Sequence, residues 1–297
     1  MRRVFKYIVR GVIGLVLLAI VVVAGAWLLV QRRLDRTWDV NTPAVSVPAD
    51  AVAVERGRRL VQALAPCGEC HGDDLGGKVM FDGFPMGRLY AVNLTRGRGG
   101  IGGAYTAEDW VRALLHGVRK DGRSVVFMPS HEFHFTKTDI GDLIAYMRSV
   151  PPVDREVPAT RIGPMAAVLS YVGMPLLPAE LIDHARVTFA SEVVASTPGE
   201  LGKHLVEKGG CAGCHGADFT GGGGPPPGAS NITPVGIGAW SDEDFLRAVR
   251  THVRPSGSRI DDAMPLAYGQ MTDDELKAIH AVLRTVPGKG AKTKRQM

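Results

Sequence analysis

The pentapeptide Cys67-Gly68-Glu69-Cys70-His71 returns as Cys211-Ala212-Gly213-Cys214-His215, and these two stretches use every cysteine in the chain. Two cysteines separated by two residues on a helical turn present both sulfurs on one side of the backbone, with the next side chain, an imidazole, turned beneath them. A flat macrocycle bonded through two thioethers, with a metal at its centre, needs that arrangement, and Cys-x-x-Cys-His is the pattern of c-type haem attachment. A four-cysteine zinc site would have to join pairs lying 144 positions apart, far beyond ribbon spacing. A redox dithiol calls for a βαβ context that the sequence does not offer, and a disulfide leaves the two histidines unexplained.

The surrounding sequence repeats as well. Gly57-Arg58-Arg59-Leu60-Val61 leads into the first motif and Gly202-Lys203-His204-Leu205-Val206 into the second. Asn93-Leu94-Thr95 matches Asn231-Ile232-Thr233, each followed by Gly-Ile-Gly at 100–102 and 236–238. Thr106 through Trp110 matches Ser241 through Phe245, and Met128-Pro129 matches Met264-Pro265. One module is therefore used twice. Each reads as all-helical: Thr106 and Ser241 are N-caps with an acid three residues on, and Trp110/Leu114 or Phe245/Val249 give one apolar face. A last helix starts at Thr138 in the first module and at Thr272, with Glu275, in the second. Ile140, Leu143, Ile144 and Met147, or Leu276, Ile279 and Leu283, line it before Pro151 or Pro287. The fold class expected is all-α, a membrane helix followed by two tandem haem modules.

A haem iron that only passes electrons needs a sixth ligand opposite His71 or His215, and the paired Met128 and Met264 are the candidates. The first module offers rivals in Met80, Met86, His131 and His134. His116, His184, His204, His252 and His280 read as surface or packing residues.

The N-terminus carries Arg2, Arg3, Lys6 and Arg10, then an uncharged run from Gly11 to Val30. Twenty residues at ~1.5 Å each span ~30 Å, the hydrocarbon thickness of a bilayer. Ala24-Gly25-Ala26 resembles a signal-peptide cleavage site, but the apolar run continues past it and Trp27 suits an interface, so a retained anchor over 1–36 is favoured. Haem attachment outside the bacterial cytoplasmic membrane then puts the N-terminus inside and the body on the periplasmic side. Residues 37–51 form a linker, 52–153 and 198–288 the two modules, and 289–297 a basic tail. The connector, 154–197, has an apolar stretch from Met165 to Leu177 that is too short and broken for a second span, so it packs between the modules or rests on the membrane. Gly221–Gly224 with Pro225–Pro227 reads as a loop by the second haem, with no phosphate-cradle signature. The basic balance sits at the two ends; residues 37–286 hold 24 basic against 29 acidic side chains, which argues against nucleic acid and suits a basic patch on a protein partner.

The order helix, Cys-x-x-Cys-His-Gly, Asn-Leu/Ile-Thr, Gly-Ile-Gly, Trp/Phe helix, Met-Pro and a helix ending Val-Pro resembles the class I cytochrome c domain. More narrowly, it is similar to the cytochrome subunits of bacterial periplasmic alcohol and sugar dehydrogenases, over about 57–153 and 200–288. The resemblance implies two covalently bound haem c groups, one held by Cys67, Cys70, His71 and Met128, the other by Cys211, Cys214, His215 and Met264. It implies a respiratory electron-transport role without catalysis of its own: electrons pass from a dehydrogenase or quinol-oxidising complex to a terminal oxidase or soluble carrier. Those subunits usually carry three such domains, whereas this chain has two and an anchor. An anchor with two cytochrome domains is also similar to the dihaem subunit of certain haem-copper oxidases. A dihaem enzyme, peroxidase-like or thiosulfate-oxidising, is the contrasting expectation.

Overall fold

The computed structural model describes residues 2–65, 67–193, 195–222 and 229–288; the basic tail and most of the Gly221–Pro227 loop lie outside the described residues. Helix α1, Arg2–Leu34, is long and apolar enough to cross a membrane; apart from the half-buried Gly25 and Ala26 it stays exposed up to Leu29, and Val30 is fully buried.

The first module opens with α2, Ala51–Arg59, capped by Asp50, whose carboxylate accepts from Ala53 N at 2.9 Å. A π-helical turn, Leu60–Leu64, runs from it towards α3, Cys67–His71. Strands β1, Lys78–Gly83, and β2, Gly87–Ala91, form an antiparallel hairpin with a bulge between Val79 and Phe81. Helix α4, Ala107–His116, and α5, Lys137–Ser149, complete the module. In the connector, β3, Arg161–Ile162, adds a third strand beside β2, and α6, Pro164–Tyr171, follows. The second module has α7, Pro198–Lys208; α8, Cys211–His215; α9, Pro234–Ile237; α10, Asp242–Thr251; and α11, Asp273–Leu283.

The chain is predominantly helical, as the repeat predicts, and the three-stranded sheet is an addition the sequence pattern does not announce. From His71 to Asn93 is 22 positions but from His215 to Asn231 only 16, and the hairpin occupies the longer stretch. Capping boxes start α4 at Thr106, α10 at Ser241 and α11 at Thr272. The expected start at Thr138 is corrected to Thr136. A box needs a carboxylate three residues on, and Asp139 stands at that distance from Thr136, while Thr138 gives its N–H to Glu192 instead.

Each module closes by crossing its first and last helices at a glycine. A Cβ on Gly57 would lie 2.0 Å from the Asp142 carbonyl oxygen, and one on Gly202 would lie 2.1 Å from that of Ala278, so only glycine permits these crossings. Trp110, Leu114, Ile140, Leu143, Ile144 and Met147 fill the first core; Phe245, Val249, Leu276, Ile279 and Leu283 fill the second. The periodic stripes read from the sequence are thus core. The modules also share structure: Ala63, from the first, is buried in the second core, and Lys208 Nζ meets the Asp139 carboxylate at 2.8 Å with both side chains nearly covered. Arg59 meets Glu275 at 2.6 Å.

The connector's apolar stretch packs on α1, and its later residues, from Thr188 to Val193, line a cavity with His134 of the first module and His204 and Lys208 of the second. Its Ile162, Ala166, Ala167, Leu176 and Leu177 pack with Val30 near the C-terminal end of α1. Further on, Val187 and Phe189 pack against the first core.

Candidate haem-attachment sites

The backbone around each Cys-x-x-Cys-His is the same turn made twice. After His71, Gly72 lies at φ +82° and Leu75 at +56°; after His215, Gly216 lies at +81° and Phe219 at +57°. Gly77 N donates to His71 O at 2.8 Å and Gly221 N to His215 O at 2.9 Å. Leu94 N then bonds Leu75 O, and Ile232 N bonds Phe219 O, at 2.8 and 3.0 Å. These bonds dock the Asn-x-Thr segment against the attachment turn. Within that segment the Asn93 and Asn231 side chains accept from Thr95 N and Thr233 N at 2.9 and 2.8 Å.

The docking has a chemical result. The residue just before each Asn offers its carbonyl to the histidine: His71 Nδ1 is 2.7 Å from Val92 O, and His215 Nδ1 is 2.7 Å from Ser230 O. A carbonyl only accepts, so Nδ1 carries the proton and Nε2 keeps its lone pair, the orientation and tautomer of an imidazole that binds a metal. Burial pushes the His71 pKa below its ordinary value, with the bond to Val92 opposing, which favours the neutral ring further. The two carbonyls were not singled out by the sequence reading, although the repeated Asn-x-Thr beside them was their visible mark.

The four thiols are free, with no disulfide between them. Burial raises the Cys67 pKa to about 12, with Cys70 adding, and that of Cys211 to about 11. A redox dithiol depends on a lowered thiol pKa, so these surroundings oppose that use. Among the described residues no three His, Cys, Asp or Glu side chains group to hold an ion, so the two Cys pairs do not converge on a zinc site.

Met128 packs against the same apolar cluster as Cys67, and Met264 against the same cluster as Cys211. The histidines near Met128 border the second module. His131, Glu132 and His134 line a cleft of about 430 Å³ whose other wall is Val206, Ala212 and Gly213 of the second module. A Cβ on Gly213 would lie 2.8 Å from Glu132 Oε2, so this carboxylate rests on the second attachment turn. Met80 lies in strand β1, and Met86 between the two strands packs with the connector cluster on α1. Of the remaining histidines, His116 is buried and bonds Asn41 O and His184, at 3.0 and 3.2 Å. His280 is buried against Phe245 with Nδ1 2.7 Å from Asp242, and His252 is buried at the end of α10. His204 lines a separate cavity beside Phe189 and Lys208.

A family model for cytochrome c matches twice, over residues 54–151 and 199–287, and the chain belongs to the cytochrome c family. It is 28% identical over 277 residues to the fructose dehydrogenase cytochrome subunit of Gluconobacter japonicus, covering 83% of this chain and 56% of that one. It is 29% identical over 272 residues to the cytochrome c subunit of the quinone-dependent alcohol dehydrogenase of Gluconobacter oxydans, covering 80% and 56%. The gluconate 2-dehydrogenase cytochrome c subunit of Pantoea cypripedii matches at 28% over 283 residues, covering 82% and 62%. The chain therefore spans less than two thirds of the length of these relatives. Cytochrome c domains hold haem c covalently. The paired free thiols, the oriented imidazoles and the methionines on the same clusters fit that group at both turns.

Proposed function

We propose that the chain is a membrane-tethered dihaem cytochrome c that takes electrons from a dehydrogenase or quinol-oxidising complex and passes them to a terminal oxidase or soluble carrier. The observation that carries this reading is the twice-made imidazole bond, His71 to Val92 O and His215 to Ser230 O. It leaves one lone pair aimed for iron in each module, and each module has a Met on the same apolar cluster as its first Cys.

When bound, haem c supplies a one-electron ferric/ferrous couple. Cys67 and Cys70 would hold the first haem and Cys211 and Cys214 the second, each through thioether bonds. His71 and His215 would be the proximal ligands and Met128 and Met264 the distal ones, over modules at 52–153 and 198–288. Thioether ligation favours ferrous iron and suits transfer at raised potential. The apolar clusters around Trp110 and Phe245 would keep water from the two haems. Helix α1 would keep the body on the periplasmic face of the cytoplasmic membrane, and the acidic excess of residues 37–286 would meet a basic face on a redox partner.

Electronic spectra of the purified holoprotein test the ligand set. Met128→Ala is expected to remove the weak far-red Met-to-iron band of the first haem alone, and Met264→Ala that of the second. An unchanged spectrum overturns the assignment at that site, and a high-spin ferric haem in the unaltered protein points instead to an enzyme with an open coordination position.

A further inference from the structure

We propose that the β1–β2 hairpin tip and the first turn of α6 form a foot that enters the lipid interface beside α1, fixing the first module upright on the bilayer. This rests on the reading of α1 as a retained span.

The depth of the foot follows from its contacts with α1. The uncharged run of α1 ends at Val30, and Arg32 and Arg33 come next. Trp27 lies ~4.5 Å below Val30 along the helix axis, and its Nε1 donates to Ile162 O at 2.8 Å, just ahead of α6. The hairpin turn is tied to the same level, since Gly163 N donates to Met86 O at 2.9 Å and Met165 N to Pro85 O at 3.1 Å. At its other end α6 is level with Arg33, whose guanidinium lies 5.1 Å from the Tyr171 ring centroid and bonds Glu180. Helix α6 thus climbs beside α1 from Trp27 to Arg33, and the hairpin turn sits at its lower end.

The chemistry of the turn suits that depth. Gly83-Phe84-Pro85-Met86-Gly87 carries no charge, and Phe84, 91% exposed, is the most exposed large apolar side chain among the described residues. Met165 and Trp27 are exposed beside it at 45% and 40%. Charge begins one residue further on each strand, where Asp82 accepts from Arg88 at 3.1 Å and Tyr90 at 2.8 Å, and Arg161 pairs with Arg88 in register. An uncharged tip below a charged collar is the profile of a segment that crosses from headgroups into acyl chains. The surface is continuous with the exposed apolar side of α1, so the occupant is lipid. At its far end β1 reaches the first attachment turn, where Lys78 Nζ donates to Glu69 O at 3.1 Å. Six residues of strand separate that contact from Phe84, so the foot would hold the first attachment turn ~20 Å above the tip.

The test uses the full-length holoprotein in nanodiscs of phosphatidylcholine and phosphatidylglycerol. A nitroxide is placed by Phe84→Cys, with Leu18→Cys in α1 as the lipid reference and Val235→Cys in the second module as the aqueous one. Power-saturation EPR compares collisions with oxygen, enriched in lipid, and with a water-soluble nickel chelate. The expected result is an oxygen-to-nickel ratio at Phe84 that approaches the Leu18 value and exceeds the Val235 value by about tenfold. If Leu18 is lipid-exposed and Phe84 behaves like Val235, the foot is refuted while the span stands. Shielding of Phe84 from both reagents also refutes it, because protein then covers the tip. An aqueous Leu18 removes the span and the foot together.

Discussion

In the first module the segment that carries Met128 is held from outside. Phe127 N donates to Leu176 O at 2.9 Å, and Leu176 is packed with Val30 of α1. In the second module the segment that carries Met264 is held by its own turn, with Ala263 N and Met264 N both donating to Asp261, at 2.9 and 3.0 Å. The attachment turns share their His-to-carbonyl and turn-closing backbone bonds, so a main difference lies in what stands behind each methionine segment. The Cys-x-x-Cys-His turn and its Asn-x-Thr partner make a pocket by local rules that work wherever the module is placed. Bracing, by contrast, depends on the neighbours, and the first module has α1, the connector and the hairpin as neighbours.

The largest effect that tests this contrast is loss of haem. Replacing Cys67 and Cys70 by Ala is expected to lower covalent haem in both modules, because the adjoining turn places Ala63 in the second core. Replacing Cys211 and Cys214 is expected to leave the first haem in place, and intact-mass spectrometry with pyridine haemochrome reads both results. Equal losses from the two variants would break the asymmetry. Next comes Lys208→Met, which strands the nearly buried Asp139 carboxylate between the modules. A cost of about 3 kcal/mol is expected, visible as a lower Tm and partly restored by adding Asp139→Asn. Glu132→Gln removes a negative charge from the second attachment turn while leaving the first. Ferric haem loses a stabilising neighbour, so redox titration is expected to show the second potential rising by tens of millivolts and the first unmoved.

The smallest effect is a pH response in the first module. Arg155, bonding Asp74 at 2.8 Å, holds that carboxyl below its ordinary pKa, with Gly76 N–H assisting. A depressed carboxylate contributes stability above its unfolded pKa, ~3.9, and that contribution is lost as pH falls through the lower folded value. The pair is half exposed, so no more than about 1 kcal/mol is at stake. Arg155→Ala is expected to flatten the acid limb of a stability–pH curve between about pH 5 and 2 without changing the plateau-to-plateau shape of the second module's transition.

Much of this arrangement is legible in the sequence because it is local. Thr106, Ser241 and Thr272 announce their helices through an acid three residues on, and Trp110/Leu114 and Phe245/Val249 announce their buried faces by spacing. The same rule, applied one residue pair too late, gives Thr138 where Asp139 selects Thr136. The hairpin is not legible because Lys78–Gly83 lacks a clean apolar–polar alternation and is bulged after Val79. Contacts of long sequence separation leave no periodic trace either. Nothing in the connector marks Ile162 as the acceptor for Trp27, and nothing near Met128 marks Glu132 as a neighbour of Gly213.

The sharing of Ala63 also bears on how the protein is made. Synthesis delivers Ala63 and Leu64 before Phe245 and Leu276 are made to cover them. The second core therefore closes on residues made long before it: the later half of the polypeptide is finished by a piece of the earlier half, and its maturation waits on the first module.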